Sequence, residues 1–265
     1  MQELEACLAV LGGDRARLCS DLASAAELTG LVVGSPERRE LVDTYYDSPD
    51  GRLVAADMAL RSRRQAVAGA WRELLTWKGP GTSLGASGTA RSELEGSATE
   101  ELLGELLDAV RAGGVQWSEG EALPSSAGDP AGGPAAWFAK AGLVPVQSRA
   151  TERTALMLSA DGRGPVCELA IDQVTYELAA HRVVHRELEL EAVGATELVE
   201  VEALAAQLAS EHPSSLRPWP WSKTALGRAL EVLEGAGELR ALLSGEELDR
   251  AGYDRVEAVL RGDRS

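Results

Sequence analysis

Polar and apolar residues alternate along several stretches of this chain, and each such stretch reads as a strand with one charged face. The clearest is Arg186 to Ala192, in which Glu187, Glu189 and Glu191 fall on one side and Leu188 and Leu190 on the other. Gln2 to Val10 repeats the pattern, with Glu3, Glu5 and Cys7 opposite Leu4, Ala6 and Leu8. Arg38 to Asp47 is rich in Val, Thr and Tyr and reads as a strand closed by a Ser48-Pro49-Asp50-Gly51 turn. Met58 to Arg64 puts Arg61 and Arg63 on one face with Ala59, and Ala70 to Gly79 aligns Arg72, Leu74, Thr76 and Lys78. After a Gly- and Ser-rich turn, Thr89 to Gly96 alternates Arg91, Glu93 and Glu95 with small or apolar residues. Leu143 to Leu158 is a long strand or a bent pair carrying Arg149 and Arg153. A turn at Asp161 to Gly164 leads into Val166 to Val174, where Glu168, Ala170 and Asp172 share a face.

Helical spacing appears between and after these strands. Asp14 to Glu27 reads as a helix stopped near Gly30. Thr99 to Arg111 reads as another, with Thr99 as N-cap and Gly113 beyond its end. Ala135 to Ala141 predicts a short helix, and Glu197 to Ser210 one capped by Thr196. A further helix runs from Ser222-Lys223 to about Gly235, and a last one from Glu246 to Leu260 with a Ser244/Glu247 capping box. Trp117 to Pro134 is rich in Gly, Ser, Pro and Asp and predicts a loop. The whole predicts an α+β fold, an eight-stranded antiparallel closed β-barrel with helices packed outside. Residues 1–235 form its domain and residues 236–265 a helical tail that packs on the domain or meets a partner. No Gly-rich phosphate loop follows a strand, which argues against a parallel nucleotide-binding fold.

Composition narrows the chemistry. The chain has 265 residues and a net charge of -16, so it lacks the basic excess of a general nucleic-acid or membrane-surface binder. Its three cysteines, Cys7, Cys19 and Cys167, have no metal-ligand spacing and fit a reducing compartment. No leader pattern and no membrane-length apolar run is visible, so the cytoplasm is the expected location.

Carboxylates two apart on a strand are separated by roughly 7 Å. At an effective dielectric of about 20 each such pair repels by roughly 2 kcal/mol. An Arg-x-Arg or Glu-x-Glu pair taken alone is more often a solvated face. Together, however, the strands supply both signs of charge. Arg61, Arg63, Lys78, Arg91, Arg153 and Lys223 form a cationic set. Glu3, Glu5, Glu93, Glu95, Glu168, Asp172, Glu187, Glu189 and Glu191 form an acidic one. A metal-bound polyphosphate needs both: guanidinium and ammonium groups for phosphate oxygens, carboxylates for Mg²⁺.

In this order the blocks resemble the CYTH superfamily of triphosphate tunnel metalloenzymes. Glu3-Leu4-Glu5-Ala6-Cys7 stands where that family has Glu-x-Glu-x-Lys. Asp43-Thr44-Tyr45-Tyr46-Asp47-Ser48-Pro49 with Leu60-Arg61-Ser62-Arg63 looks like its second block. Thr76-Trp77-Lys78-Gly79, Arg91-Ser92-Glu93-Leu94-Glu95, Thr151-Glu152-Arg153, Glu168 to Asp172, Glu187 to Glu191 and Ser222-Lys223 follow in family order, spanning roughly Gln2 to Leu230.

The resemblance implies a tunnel that holds a small-molecule triphosphate or polyphosphate, with Mg²⁺ or Mn²⁺ as cofactor. Its partners would include neither nucleic acid nor membrane, and it leaves a homodimer open. It implies catalytic roles for Glu3, Glu5, Lys78, Arg61 and Arg63. Phosphate binding would fall to Arg61, Arg63, Lys78, Arg91, Arg153 and Lys223. Glu3, Glu5, Asp172, Glu189 and Glu191 would hold metal, with Glu93, Glu95, Glu168 and Glu187 as further ligands or supporting groups. The expected activity is hydrolysis of tripolyphosphate or of a nucleoside or thiamine triphosphate. One departure opens an alternative: Cys7 replaces the signature Lys and supplies no fixed positive charge, which suits a non-catalytic polyphosphate-binding module. A class IV type adenylate cyclase is the third reading.

Overall fold

The computed structural model describes residues 2–12, 14–67, 69–116 and 133–262. Eight long strands carry the fold: β1 (Gln2–Val10), β2 (Glu37–Asp47), β3 (Ala59–Val67), β4 (Ala70–Lys78), β5 (Gly88–Ser97), β6 (Val144–Ala160), β7 (Gly164–Glu177) and β8 (Arg182–Ala192). Their hydrogen-bonded order is β1-β5-β4-β3-β2-β6-β7-β8, and β8 pairs back onto β1. The sheet therefore has no free edge among these strands and forms the predicted closed antiparallel barrel, with helices packed outside it. The helices are α1 (Arg15–Ser24), α2 (Arg52–Ala55), α3 (Glu100–Ala112), α4 (Gly133–Lys140), α5 (Leu198–Glu211), α6 (Lys223–Gly235) and α7 (Arg250–Leu260). Among the described residues no helix is long and apolar enough to cross a membrane.

The chain divides into two compact units. One comprises Met1–Glu3, Glu40–Thr82 and Arg91–Arg149; the other comprises Leu4–Arg39, Ser83–Ala90 and Ala150–Ser265. In the first unit α3 buries Leu103, Leu106, Leu107 and Val110, the spacing of one helical face, against Tyr46, Leu60, Leu75 and Phe138. Each fully buried Leu contributes about 1.5–3 kcal/mol relative to exposure.

In the second unit the two faces of β1, β7 and β8 feed different cores. Ala6, Leu8, Leu169, Ile171, Leu188 and Leu190 pack with Leu22 of α1 and Val201, Ala205 and Leu208 of α5. On the other face, Ala9, Leu11, Val174, Tyr176 and Val183 pack with Trp219, with Leu226, Leu230 and Leu233 of α6, and with Tyr253 and Val256 of α7. That second face is also the one that bears the acidic residues, so α6 and α7 are packed against the carboxylate-bearing side of the sheet.

Several local expectations shift. Helix α1 ends at Ser24, because Ala25 is extended and Glu27–Leu28 pairs with Leu31–Val33. Gly30 (φ 79°) belongs to the turn of that hairpin rather than to a helix stop. The turn at Ser48 to Gly51 continues into α2, whose first N–H, of Arg52, donates to Ser48 Oγ at 2.9 Å, while the buried Asp47 carboxylate accepts from Leu53 N at 2.8 Å and Val54 N at 3.1 Å. Leu143 to Leu158 resolves as the single strand β6.

Helix α5 is capped by Glu197, not Thr196, in a reciprocal box with Glu200. The Ser244/Glu247 box does not form. Both residues lie in a small hairpin, where Glu247 pairs with Arg15 and Arg186 and so does not turn back on a helix start. Asp249 caps α7 instead, accepting from Gly252 N at 2.7 Å. Thr99 caps α3 as expected, and Ser222, at the expected start of α6, proves to be its cap. The predicted loop at 117–132 lies outside the described residues.

Candidate functional site

In the second unit, strand register arranges the acidic residues in rows. Glu5, Glu191 and Glu168 stand side by side across β1, β8 and β7; Cys7, Glu189 and Ala170 form the next row, and Ala9, Glu187 and Asp172 the third. A period of two along each strand puts all of these side chains on one face. Depth separates them. Asp172 and Glu187 are almost fully buried, Glu189 is half-buried and Glu191 is exposed.

Asp172, Glu187 and Glu189 each offer a carboxylate oxygen within 4.8 Å of the others, and Glu5, Cys7 and Glu189 form a second such group. Two cations hold the first group together. Arg153 donates to Asp172 Oδ1 at 2.8 Å and Oδ2 at 2.6 Å, and also to Glu189. Lys223, delivered by the first turn of α6, sits 3.1 Å from Asp172 Oδ2 and contacts Glu187 and Glu189. Burial alone would lower the Lys223 ammonium, but Glu187, Glu189 and Asp172 outweigh it and push its pKa well above the ordinary value. At Cys7 burial acts first and Glu5, Glu189 and Glu187 add to it, so the thiol is pushed well up and stays neutral.

The donor set suits a hard divalent cation. Three carboxylates with two cations leave one negative charge, and the ligand atoms are all oxygen. Of the predicted metal residues the structure brings Asp172 and Glu189 together. It adds Glu187 to them and places Glu191 at the exposed end of the same face. Glu168 faces Arg39 at 3.2 Å.

The first unit holds a group of its own, rich in arginine. Tyr45, Arg61, Thr76 and Glu95 lie in one row across β2, β3, β4 and β5, with Asp43, Arg63 and Leu74 in the next. Asp43 is almost fully buried and meets three arginines. Arg63 binds it in bidentate fashion at 2.7 and 2.9 Å, Arg61 Nη1 lies at 3.7 Å and Arg149 Nε at 3.8 Å. Burial would raise the Asp43 carboxyl, yet the three guanidinium groups hold it well below its ordinary value.

Arg61 is fixed further by Thr76 Oγ1 at 2.9 Å and Glu95 Oε2 at 2.8 Å. Burial would likewise raise Glu95, but Arg61 and the Thr76 hydroxyl bring it down. Arg149 stacks 4.4 Å over the Tyr45 ring. Nearby, Lys78 binds both oxygens of Glu3 at 2.6 and 2.8 Å and lies 3.8 Å from Glu93, while Arg91 lies 4.0 Å from Glu3. At Glu93 burial dominates Lys78, and the Glu3 charge adds to it, so this carboxyl is raised.

Asp43 and Arg149 are the residues sequence reasoning missed. Asp43 shares a face with Tyr45 inside a block already singled out, and Arg149 shares one with Arg153. Neither alternation reveals that Asp43 meets Arg61, Arg63 and Arg149 together, because that depends on strand pairing.

Similar solved structures share the fold. The Hippeastrum protein HpAC1, an adenylyl cyclase by assignment with a dominant triphosphatase activity, is 18% identical with a TM-score of 0.55. The match covers 86% of this chain and 95% of that one. An adenylate cyclase by assignment from Bacillus halodurans is 18% identical with a TM-score of 0.50, covering 84% of this chain and 96% of its own. None of the curated proteins matches the chain significantly. The profile of the CYTH domain matches residues 18–216, which leaves β1 with Glu3, Glu5 and Cys7, and also Lys223, outside the matched span. With most of the chain under that profile, and with the barrel and its two charged residue groups already in place, the chain belongs to the CYTH domain family.

Proposed function

We propose that this chain is a divalent-metal-dependent hydrolase of a small triphosphate, with tripolyphosphate, nucleoside triphosphates and thiamine triphosphate as the substrate class. The observation that carries the reading is the convergence of Asp172, Glu187 and Glu189 within 4.8 Å under Lys223 and Arg153. Asp172, Glu187 and Glu189 would hold Mg²⁺ or Mn²⁺, which when bound neutralises phosphate oxygens and acidifies a water.

The chain's own groups do the rest. Arg61, Arg63 and Arg149 together exceed the charge of Asp43 and Glu95, so a phosphate group is stabilised there by guanidinium donors already fixed in place. Lys78 and Arg91 act beside them, held by Glu3. In the second unit Arg153 and Lys223 are positioned to exchange carboxylate oxygens for phosphate oxygens. Family membership and the triphosphatase activity of the Hippeastrum neighbour support the same reaction class.

A second reading rests on Cys7: without the signature ammonium the chain binds polyphosphate but does not turn it over. Tripolyphosphate, ATP and thiamine triphosphate with Mg²⁺ or Mn²⁺, products resolved by phosphorus NMR, separate these readings. Metal-dependent phosphate release that collapses in Glu189→Gln is expected. Release without metal, or release indifferent to that change, overturns the proposal. Metal-assisted binding without turnover favours the second reading, and cyclic AMP from ATP would identify a cyclase.

A further inference from the structure

His185 lies on β8 two residues before Glu187, on the same face, and is completely buried. Its Nε2 is 2.8 Å from Glu187 Oε2 and its Nδ1 is 2.8 Å from the Tyr253 hydroxyl of α7. The Trp219 and Tyr253 rings lie against the imidazole, with centroids 5.9 and 5.7 Å away, and Tyr253 and Glu187 are each 1% exposed. An ionised carboxylate only accepts, so Nε2 carries the proton toward Glu187. In a neutral imidazole Nδ1 then accepts from the Tyr253 O–H. With the imidazole neutral, the donors would run one way, from Tyr253 through His185 to Glu187.

We propose that Tyr253 and His185 are positioning residues for the metal-binding carboxylate of Glu187, which makes the C-terminal helix part of the metal site. A glutamate side chain left alone samples several rotamers. Here one oxygen is held by His185, which aims the other at the group formed with Asp172, Glu189 and Lys223.

Helix α7 is itself held closely enough to transmit this. Any side chain at Gly252 would come within 2.6 Å of the Leu242 carbonyl oxygen. Arg217 ties Asp254 at 2.7 Å and Glu257 at 2.5 Å. Trp219 stands edge-on to Tyr253, with ring centroids 5.5 Å apart. The inference rests on the metal reading of the Asp172, Glu187 and Glu189 group.

Mn²⁺ binding to the full chain, followed by electron paramagnetic resonance, tests it without reference to activity. Tyr253→Phe keeps the buried ring and removes only the hydroxyl. His185→Phe removes both nitrogens, and His185→Gln retains an amide N–H able to reach Glu187. Loss of such outer partners weakens metal binding about 10–100-fold, which is expected for His185→Phe, with a smaller loss for Tyr253→Phe and recovery in His185→Gln.

Circular dichroism establishes that each variant is folded. If His185→Phe does not fold, Tyr253→Phe decides alone. Wild-type binding that is weakened by Glu189→Gln but unchanged by His185→Phe and Tyr253→Phe overturns the relay and leaves the metal reading standing. No Mn²⁺ binding by the wild type overturns both.

Discussion

Cys7 stands directly opposite Glu189 across the β1–β8 ladder, and its sulfur lies within 4.8 Å of a Glu189 carboxylate oxygen. Where the sequence resemblance sets the signature Lys, this chain has a thiol whose pKa is pushed well up, facing a carboxylate that Lys223 and Arg153 already engage. Positive charge toward Glu189 therefore comes from α6 and β6 rather than from β1.

Restoring the ammonium should show what its replacement costs. Cys7→Lys is expected to raise tripolyphosphate turnover about tenfold, which corresponds to roughly 1.4 kcal/mol of transition-state stabilisation. Steady-state kinetics at saturating metal measure it, and equal or lower turnover would count against the assignment. The wild-type thiol, pushed well up by burial and neighbouring carboxylates, should alkylate with iodoacetamide far more slowly than free cysteine at pH 8, its rate still climbing above pH 9.

Lys223 and a bound metal should compete for the same oxygens. Lys223→Met leaves Asp172, Glu187 and Glu189 with Arg153, and breaking a buried ion pair costs about 3–5 kcal/mol. Saturating Mn²⁺ should restore part of that loss, since ligand at a hundred times its Kd stabilises by about 2.7 kcal/mol. Thermal melting with and without Mn²⁺ should give a larger metal-induced rise in Lys223→Met than in the wild type. Equal shifts would mean that the ammonium does not occupy the metal's place.

Asp43 should mark the acid limb of stability. Its folded-state pKa is depressed, so the stabilisation it gives is present above the unfolded value of about 3.9 and is lost as pH falls toward the folded one. In that window the unfolded chain binds the extra proton, and stability declines by up to about 1.4 kcal/mol per pH unit. Asp43→Asn should be less stable at neutral pH yet show a shallower decline below about pH 4 in acid titrations followed by circular dichroism. Parallel wild-type and variant curves would place the acid transition elsewhere.

Arg63 offers two parallel donors that Asp43 now accepts, at 2.7 and 2.9 Å. Charge-assisted hydrogen bonds are worth about 1.5–3 kcal/mol, so Arg63→Ala should reduce kcat/KM for tripolyphosphate roughly 10–100-fold. Arg63→Lys should recover little of it, because an ammonium cannot reproduce the fork. Kinetics indistinguishable from wild type in both variants would remove Arg63 from the phosphate grip.

Strand faces were legible in the sequence because alternation is a local property of extended backbone. That is why Glu187, Glu189 and Glu191 share a side, and why Arg61 and Arg63 do. The helix cap at Thr99 and the helix start at Ser222 were equally local, and each side chain closes on an N–H three residues away. Register and depth were not local. The sequence sets Glu187 and Glu191 on one face without ranking their depth; pairing with Asp172 draws Glu187 into the buried group, and Glu191 stays exposed.

Asp43 reaches Arg149 across more than a hundred residues, and His185 reaches Tyr253 across 68. Alternation thus determined which charges face together. Only the closed sheet and the docking of α6 and α7 decided which carboxylates are desolvated and which cations they meet, because burial and pairing depend on segments brought together from distant parts of the chain.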